Sequence, residues 1–158
     1  MLAADDPRFD ELQQLAAQAL GAGFTGSQRA RWRELVGGVL GSLQAAGHAP
    51  DERRQVLRAV ASLQVDILEP QSLRGSRLTS TVSAGGLSIP VPAAPPAGTV
   101  LELSITVAGR GEPLRTRASV AWNVDGEIGV AFIDLVQSER ETLEAVAVQA
   151  LLVFAALE

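Results

Sequence analysis

Apolar positions in the first fifty residues recur at steps of three and four, the spacing of one face of an α-helix. Asp6 and Pro7 form a cap and first turn, Leu12, Leu15, Ala16, Ala19 and Leu20 make the stripe, and Gly21 and Gly23 end it. A second helix is predicted from Thr25, where Gln28 three residues later completes a capping box. Its stripe is Trp32, Leu35, Val36, Val39, Leu40 and Leu43, and Gly47 and Pro50 stop it.

From about residue 60 the period shortens to two, the mark of half-buried strands. Leu63, Val65 and Ile67 alternate with polar residues, as do Leu87, Ile89 and Val91, and then Leu101, Leu103, Ile105 and Val107. Residues 114–124 put Leu114, Thr116, Ala118, Val120 and Trp122 on one face, and Ile128, Val130 and Phe132 follow. Asp125-Gly126 between these two runs is a two-residue hairpin signal, since both positions tolerate positive φ. With a further strand at 77–82 the pattern predicts about six short strands, enough for a small barrel or sandwich. The Pro-rich stretch Pro90 to Gly98 reads as a surface connection.

A closing helix is announced by Ser138 and Glu141, again spaced as a capping box. From Leu143 to Leu157 only Glu144 and Gln149 are polar, so this helix must be buried on more than one side. Either the N-terminal helices or a second subunit has to cover it, and a homodimer through the helices is expected.

Composition narrows the functional classes. A chain of 158 residues, 47% apolar and 20% charged, holds one domain with an appendage: a helical extension over 1–50 and a β-rich unit over 51–158. Without cysteine there are no disulfides, thiolate metal sites or cysteine nucleophiles. A net charge of -5 disfavours DNA and other long polyanions, while leaving room for a small anion held by a local Arg pair. Met1 to Pro7 lacks the basic-then-apolar order of a secretory signal, and no run reaches the ~18 apolar residues of a membrane span. A cytoplasmic protein is the expectation.

Two short segments carry candidate chemistry: Arg53-Arg54-Gln55-Val56-Leu57-Arg58, and Thr81-Val82-Ser83-Ala84-Gly85-Gly86. Arginine can grip a phosphate with two N–H groups, stack on a purine, or read the O6 and N7 edge of guanine. Ser83 offers a hydroxyl, and Gly86 permits close backbone approach. The same residues have plainer readings. Arg54 and Arg58 could sit on the solvated face of a helix over 51–60, and Ser83 to Gly86 could be only a hairpin turn. Arg74 and Arg77 read as solvent-facing, with one of them within reach of a phosphate. Arg115 and Arg117 read as solubilising residues, Trp122 as core filling, and His48 has no partner in the pattern.

With the strands behind them, these segments resemble the PilZ family. Arg54 to Arg58 matches its RxxxR motif, and Thr81, Ser83 and Gly86 fall on its [D/N]xSxxG motif. Gly86-Leu87-Ser88-Ile89, Val120-Ala121-Trp122 and Ile128-Gly129-Val130-Ala131-Phe132 continue the likeness, which covers about residues 52–155. The resemblance implies a mainly β fold with helices: a six-stranded antiparallel barrel with an N-terminal helical pair and a C-terminal helix. It also implies a receptor for cyclic di-GMP that relays the signal to a protein partner, with Arg53, Arg54, Arg58, Thr81, Ser83, Gly85 and Gly86 as ligand-binding residues. One position departs from the motif: Thr81 stands where the family has an acid or amide that accepts from a guanine N–H.

No nucleophile-base pair or metal centre emerges from the spacing, so an enzyme is not expected and no cofactor is implied. The alternative within the same fold is an adaptor that binds no nucleotide and acts through its apolar helices. A barrel for sugar or single-stranded nucleic acid ranks last, because few aromatics are available for stacking.

Overall fold

A computed structural model of the chain describes residues 7–45, 58–109 and 111–156. Helix α1 (Pro7–Leu20) and helix α2 (Gly26–Ala45) come first and helix α3 (Gln137–Ala156) last. Thr25 caps α2 as its sequence predicts. Its Oγ1 accepts from the Gln28 N–H at 3.3 Å, and the Gln28 side chain accepts from the Thr25 N–H at 2.8 Å. Asp6, Gly47 and Pro50 lie outside the described residues.

Between the helices run β1 (Arg58–Val60), β2 (Gln64–Glu69), β3 (Gly75–Leu78), β4 (Thr81–Ser83), β5 (Gly86–Pro90), β6 (Val100–Thr106), β7 (Leu114–Val124) and β8 (Glu127–Phe132). They form one curled antiparallel sheet in the order β1-β4-β5-β8-β7-β6-β2-β3. The described residues thus hold eight strands where the alternation predicts six. The surplus has one cause. Residues 58–69 and 75–83 are the two arms of a single bent hairpin, with Arg58 opposite Ser83 at one end and Ile67 opposite Gly75 at the other. One half of that hairpin joins β5 and the other joins β6, so the two ends of the strand order are covalently one unit and the sheet has to curl. At the bend Thr79, 3% exposed, replaces the missing ladder: its hydroxyl donates to Ala61 O at 2.6 Å and accepts from the Leu63 N–H at 2.8 Å. The predicted strand at 77–82 breaks there.

The inward face of the sheet follows the alternation. Val65, Ile67, Ile89, Leu101, Ile105, Leu114 and Ile128 are fully buried, each side chain stabilising the fold by roughly 1.5–3 kcal/mol. Asp125 (φ 50°) and Gly126 (φ 79°) make the predicted tight turn between β7 and β8.

Helix α3 departs from its predicted start. Val136, not Ser138, precedes it: the Glu139 side chain accepts from the Val136 N–H at 3.3 Å, and the Glu139 N–H reaches Val136 O at 3.1 Å. Glu141 does not reach back to Ser138. It is 5% exposed and receives Arg29 of α2 through two bonds, at 2.5 and 3.0 Å, because a buried carboxylate needs a cation more than a helix needs a box. Trp32 Nε1 donates to Glu144 one turn further on at 2.5 Å, so α2 and α3 run in the same direction.

The two-sided burial of α3 is met within the chain. Leu143 joins the sheet's core with Leu135, while Ala145, Val148 and Leu152 pack with Leu12, Ala16, Ala19, Trp32, Leu35 and Val36. The N-terminal helices supply the cover over this stretch, and a second subunit is not required for it. The helical extension therefore packs on α3, while the expected boundary near residue 50 lies outside the described residues.

Candidate functional site

Strand register sets out the surface around the second motif. On the face turned away from the sheet's core, Thr81, Ser88, Gly129 and Trp122 are successive partners across β4, β5, β8 and β7. Ser83 pairs with Arg58, Gly86 with Ala131, and Ala131 with Ser119 in the adjoining row. Between the two rows Val82, Leu87, Val130 and Val120 point into the core, as a period of two demands. The backbone of Arg58 therefore stands directly across from the motif serine, in a strand and not in the helix over 51–60 that was the plainer reading. Arg53 and Arg54 lie outside the described residues.

The turn itself is self-contained. Ser83, 1% exposed, accepts from the N–H groups of Gly85 and Gly86 at 3.2 and 3.1 Å and donates to Gly86 O at 3.1 Å. A hydroxyl has one donor and two acceptor sites, and all three are used, so Ser83 shapes the β4–β5 turn instead of offering a free hydroxyl. Gly86 is held by packing too: a Cβ there would lie 2.0 Å from Val130 O across the β5–β8 pair. Gly85 accepts the Phe132 N–H at 2.9 Å. Thr81 is occupied by Ser88, whose Oγ lies 2.7 Å from the Thr81 hydroxyl and accepts the Thr81 N–H at 3.1 Å.

Three side chains belong to this surface that sequence reasoning did not place there. Trp122 was expected in the core, but the register slips between Val120 and Trp122 and turns the indole outward. It lies over Gly129, where a Cβ would meet the ring at 2.1 Å. A glycine in the middle of an otherwise apolar strand was the available signal. Trp122, Val124, Asp125 and Glu127 line an open cleft of about 510 Å³. Glu127 accepts from Ser80 Oγ at 3.2 Å, which ties it to the residue before Thr81. On the other flank Arg140, in the first turn of α3, aims Nη1 at Ala84 O (3.5 Å) and Nε at Leu135 O (3.4 Å). Among the described residues no carboxylate pairs with Arg140.

The remaining arginines divide. Arg74 pairs with Glu69 at 3.1 Å and Arg117 with Asp134 at 3.1 Å, both at the surface. Arg115 is exposed, as expected. Arg77 is not simply solvent-facing. It stands opposite Val65 on the inward row, half-buried, with its Nε unpaired. His48 lies outside the described residues. No helix among the described residues is long and apolar enough to cross a membrane.

Residues 52–149 match the sequence model of the PilZ domain. The chain belongs to the PilZ family. One solved structure agrees on the fold. The inhibitor of motility MotI/DgrA of Bacillus subtilis superposes with a TM-score of 0.54 at 21% identity, over 65% of this PilZ chain and 52% of that one, about half its length. The PilZ domain of YcgR from Escherichia coli, with c-di-GMP, gives 0.47 at 13% identity over 63% of this chain and 92% of that one. The PilZ domain of CeSA from a cellulose-synthesizing bacterium gives 0.43 at 22% identity, over 56% of this chain and 93% of that one. Among curated proteins none is similar enough in sequence to count as a relative.

Proposed function

We propose that this PilZ protein is a receptor for cyclic di-GMP that acts on a protein partner, in the cytoplasm, without catalysing a reaction. The observation that carries the reading is the pairing of Arg58 with Ser83, which brings the end of the arginine motif to the motif turn. Arg140 flanks that turn from α3 and Trp122 stands on the same outward face. Guanidinium groups suit the two phosphates and the indole suits a guanine face. Ser83, Gly85 and Gly86 build the wall against which the ligand rests, and Arg53 and Arg54 of the arginine motif are proposed as further ligand-binding residues. Hydroxyls, cations and an indole bind a nucleotide but supply no activated nucleophile.

A route for the signal is built into α3. Arg140 touches the motif turn and the next residue, Glu141, is anchored on Arg29 of α2. A phosphate that draws Arg140 away from Ala84 favours one seating of α3 over another, and a ligand shifts such an equilibrium only by that difference in contact. The helical face then alters toward its partner. The adaptor reading is favoured by one feature, the Thr81 hydroxyl already engaged with Ser88.

Calorimetric titration of the purified chain with cyclic di-GMP tests the proposal. Saturable binding is expected, weakened tenfold or more, about 1.4 kcal/mol, in both Arg58→Ala and Arg140→Ala. A wild-type chain that binds no cyclic di-GMP at high micromolar concentration is an adaptor.

A further inference from the structure

We infer that Glu127, beside the Trp122 indole, selects guanine in this site and takes over the acceptor role that Thr81 cannot fill. The inference rests on the receptor reading above and adds to it the residue that distinguishes one purine from another. Guanine presents two adjacent donors, N1–H and N2–H, on its pairing edge, and an ionised carboxylate has two oxygens that accept side by side. Adenine presents an acceptor at N1 next to its N6 donor, so one carboxylate oxygen would face a lone pair. A site that reads guanine by this edge therefore needs an acceptor oxygen there, of which a carboxylate supplies two and an amide only one. Thr81 has neither, and its hydroxyl lies 2.7 Å from that of Ser88.

Glu127 stands where the substitute is needed. It opens β8 two residues before Gly129 and therefore projects from the same side of the sheet. Gly129 pairs with Trp122, which makes Glu127 and the indole diagonal neighbours, a separation that long and aromatic side chains bridge. Both line the same open cleft of about 510 Å³. The hydrogen bond from Ser80 Oγ, 3.2 Å long, pins one carboxylate oxygen beside the start of β4 and leaves further acceptor sites open. Among the described residues no arginine neutralises Glu127. A guanine lying on the Trp122 face thus turns its pairing edge toward an unpaired, half-buried carboxylate, while the phosphates lie toward Arg58 and Arg140.

The test compares cyclic di-GMP with cyclic di-AMP on the full chain, by calorimetry, in wild type, Glu127→Gln, Glu127→Ala and Glu127→Ala with Thr81→Asp. Wild type is expected to prefer the guanine ligand. Both single variants should lose at least tenfold in cyclic di-GMP affinity with little change toward cyclic di-AMP, so that discrimination narrows. Thr81→Asp should restore a good part of the loss by putting a carboxylate back at the motif position. The near-isosteric Gln variant guards against a folding defect, checked by its melting temperature. If both single variants keep the wild-type preference, Glu127 does not read the base and the inference is overturned while the receptor reading stands. A wild-type chain that binds neither ligand overturns the receptor reading itself, and the inference with it.

Discussion

Replacing Gly86 by alanine separates a glycine kept for ligand approach from one kept for strand packing. The added Cβ would sit 2.0 Å from Val130 O and 3.1 Å from its carbonyl carbon, both of them backbone atoms that cannot rotate away. To restore ordinary contact near 3.4 Å, β5 and β8 must part by roughly 1.4 Å at this point. Hydrogen bonds near 2.9 Å, such as Phe132 N–H to Gly85 O, do not survive that stretch. Losing about two of them at ~1 kcal/mol each, with ~1–3 kcal/mol of packing strain, gives a destabilisation of about 3–5 kcal/mol. For a chain of this length that lowers the melting temperature by roughly 10 °C. Thermal and urea unfolding followed by far-ultraviolet circular dichroism measures it. Gly129→Ala is the control. The three atoms nearest its Cβ all belong to the Trp122 ring, the first at 2.1 Å, a partly exposed side chain that can swing aside, so ~1 kcal/mol and a change in tryptophan emission are expected. A Gly86→Ala protein that melts within about 2 °C of wild type refutes the packing argument. If that protein has also lost cyclic di-GMP binding, the glycine serves the ligand.

Two pH effects follow from named carboxylates. Burial pushes the Glu144 carboxyl up and the nearby Glu141 charge adds to this, against the opposing Trp32 hydrogen bond and the Arg33 charge. A carboxyl raised on folding favours the folded state at low pH and loses that advantage as pH climbs above the ordinary value of 4.5 and through the folded one. Glu144→Gln keeps an oxygen for Trp32 and removes the charge. Its stability relative to wild type should therefore grow as pH rises from 4.5 toward neutrality, and a flat difference in urea midpoints across that range defeats the assignment. Asp134 shifts the other way. The Arg117 backbone N–H, the Thr116 hydroxyl and the Arg117 guanidinium hold it down at about 2, against an ordinary 3.8. Its contribution is complete above the ordinary value and is lost as pH falls toward 2, so Asp134→Asn should trail wild type at pH 6 and converge with it in acid. A gap that persists unchanged to pH 2 rules this out.

Much of the architecture was legible along the chain because short-range rules govern it. Apolar steps of three and four marked α1 and α2, Thr25 and Gln28 marked a cap that is present, and alternation marked the cores of β2, β5, β6, β7 and β8. The tight turn at Asp125-Gly126 required only two residues that accept positive φ. The arginine and serine motifs indicated a candidate site, and the register joins them at Arg58 and Ser83.

What the sequence left open depends on groups far apart in the chain. One slip of register beyond Val120 carries Trp122 from the core face to the outside, and periodicity has no way to announce a single inserted residue. The start of α3 was decided by Arg29, more than a hundred residues away, which claimed Glu141 from its predicted cap. Glu127 meets Ser80 only through the pairing of β8 with β5 and β5 with β4, and Arg140 reaches the motif turn only because α3 folds back on the sheet. Local sterics write strands and helices into the order of residues, whereas which side chains share a surface is set by curvature and long-range pairing, and those exist only once the chain has closed.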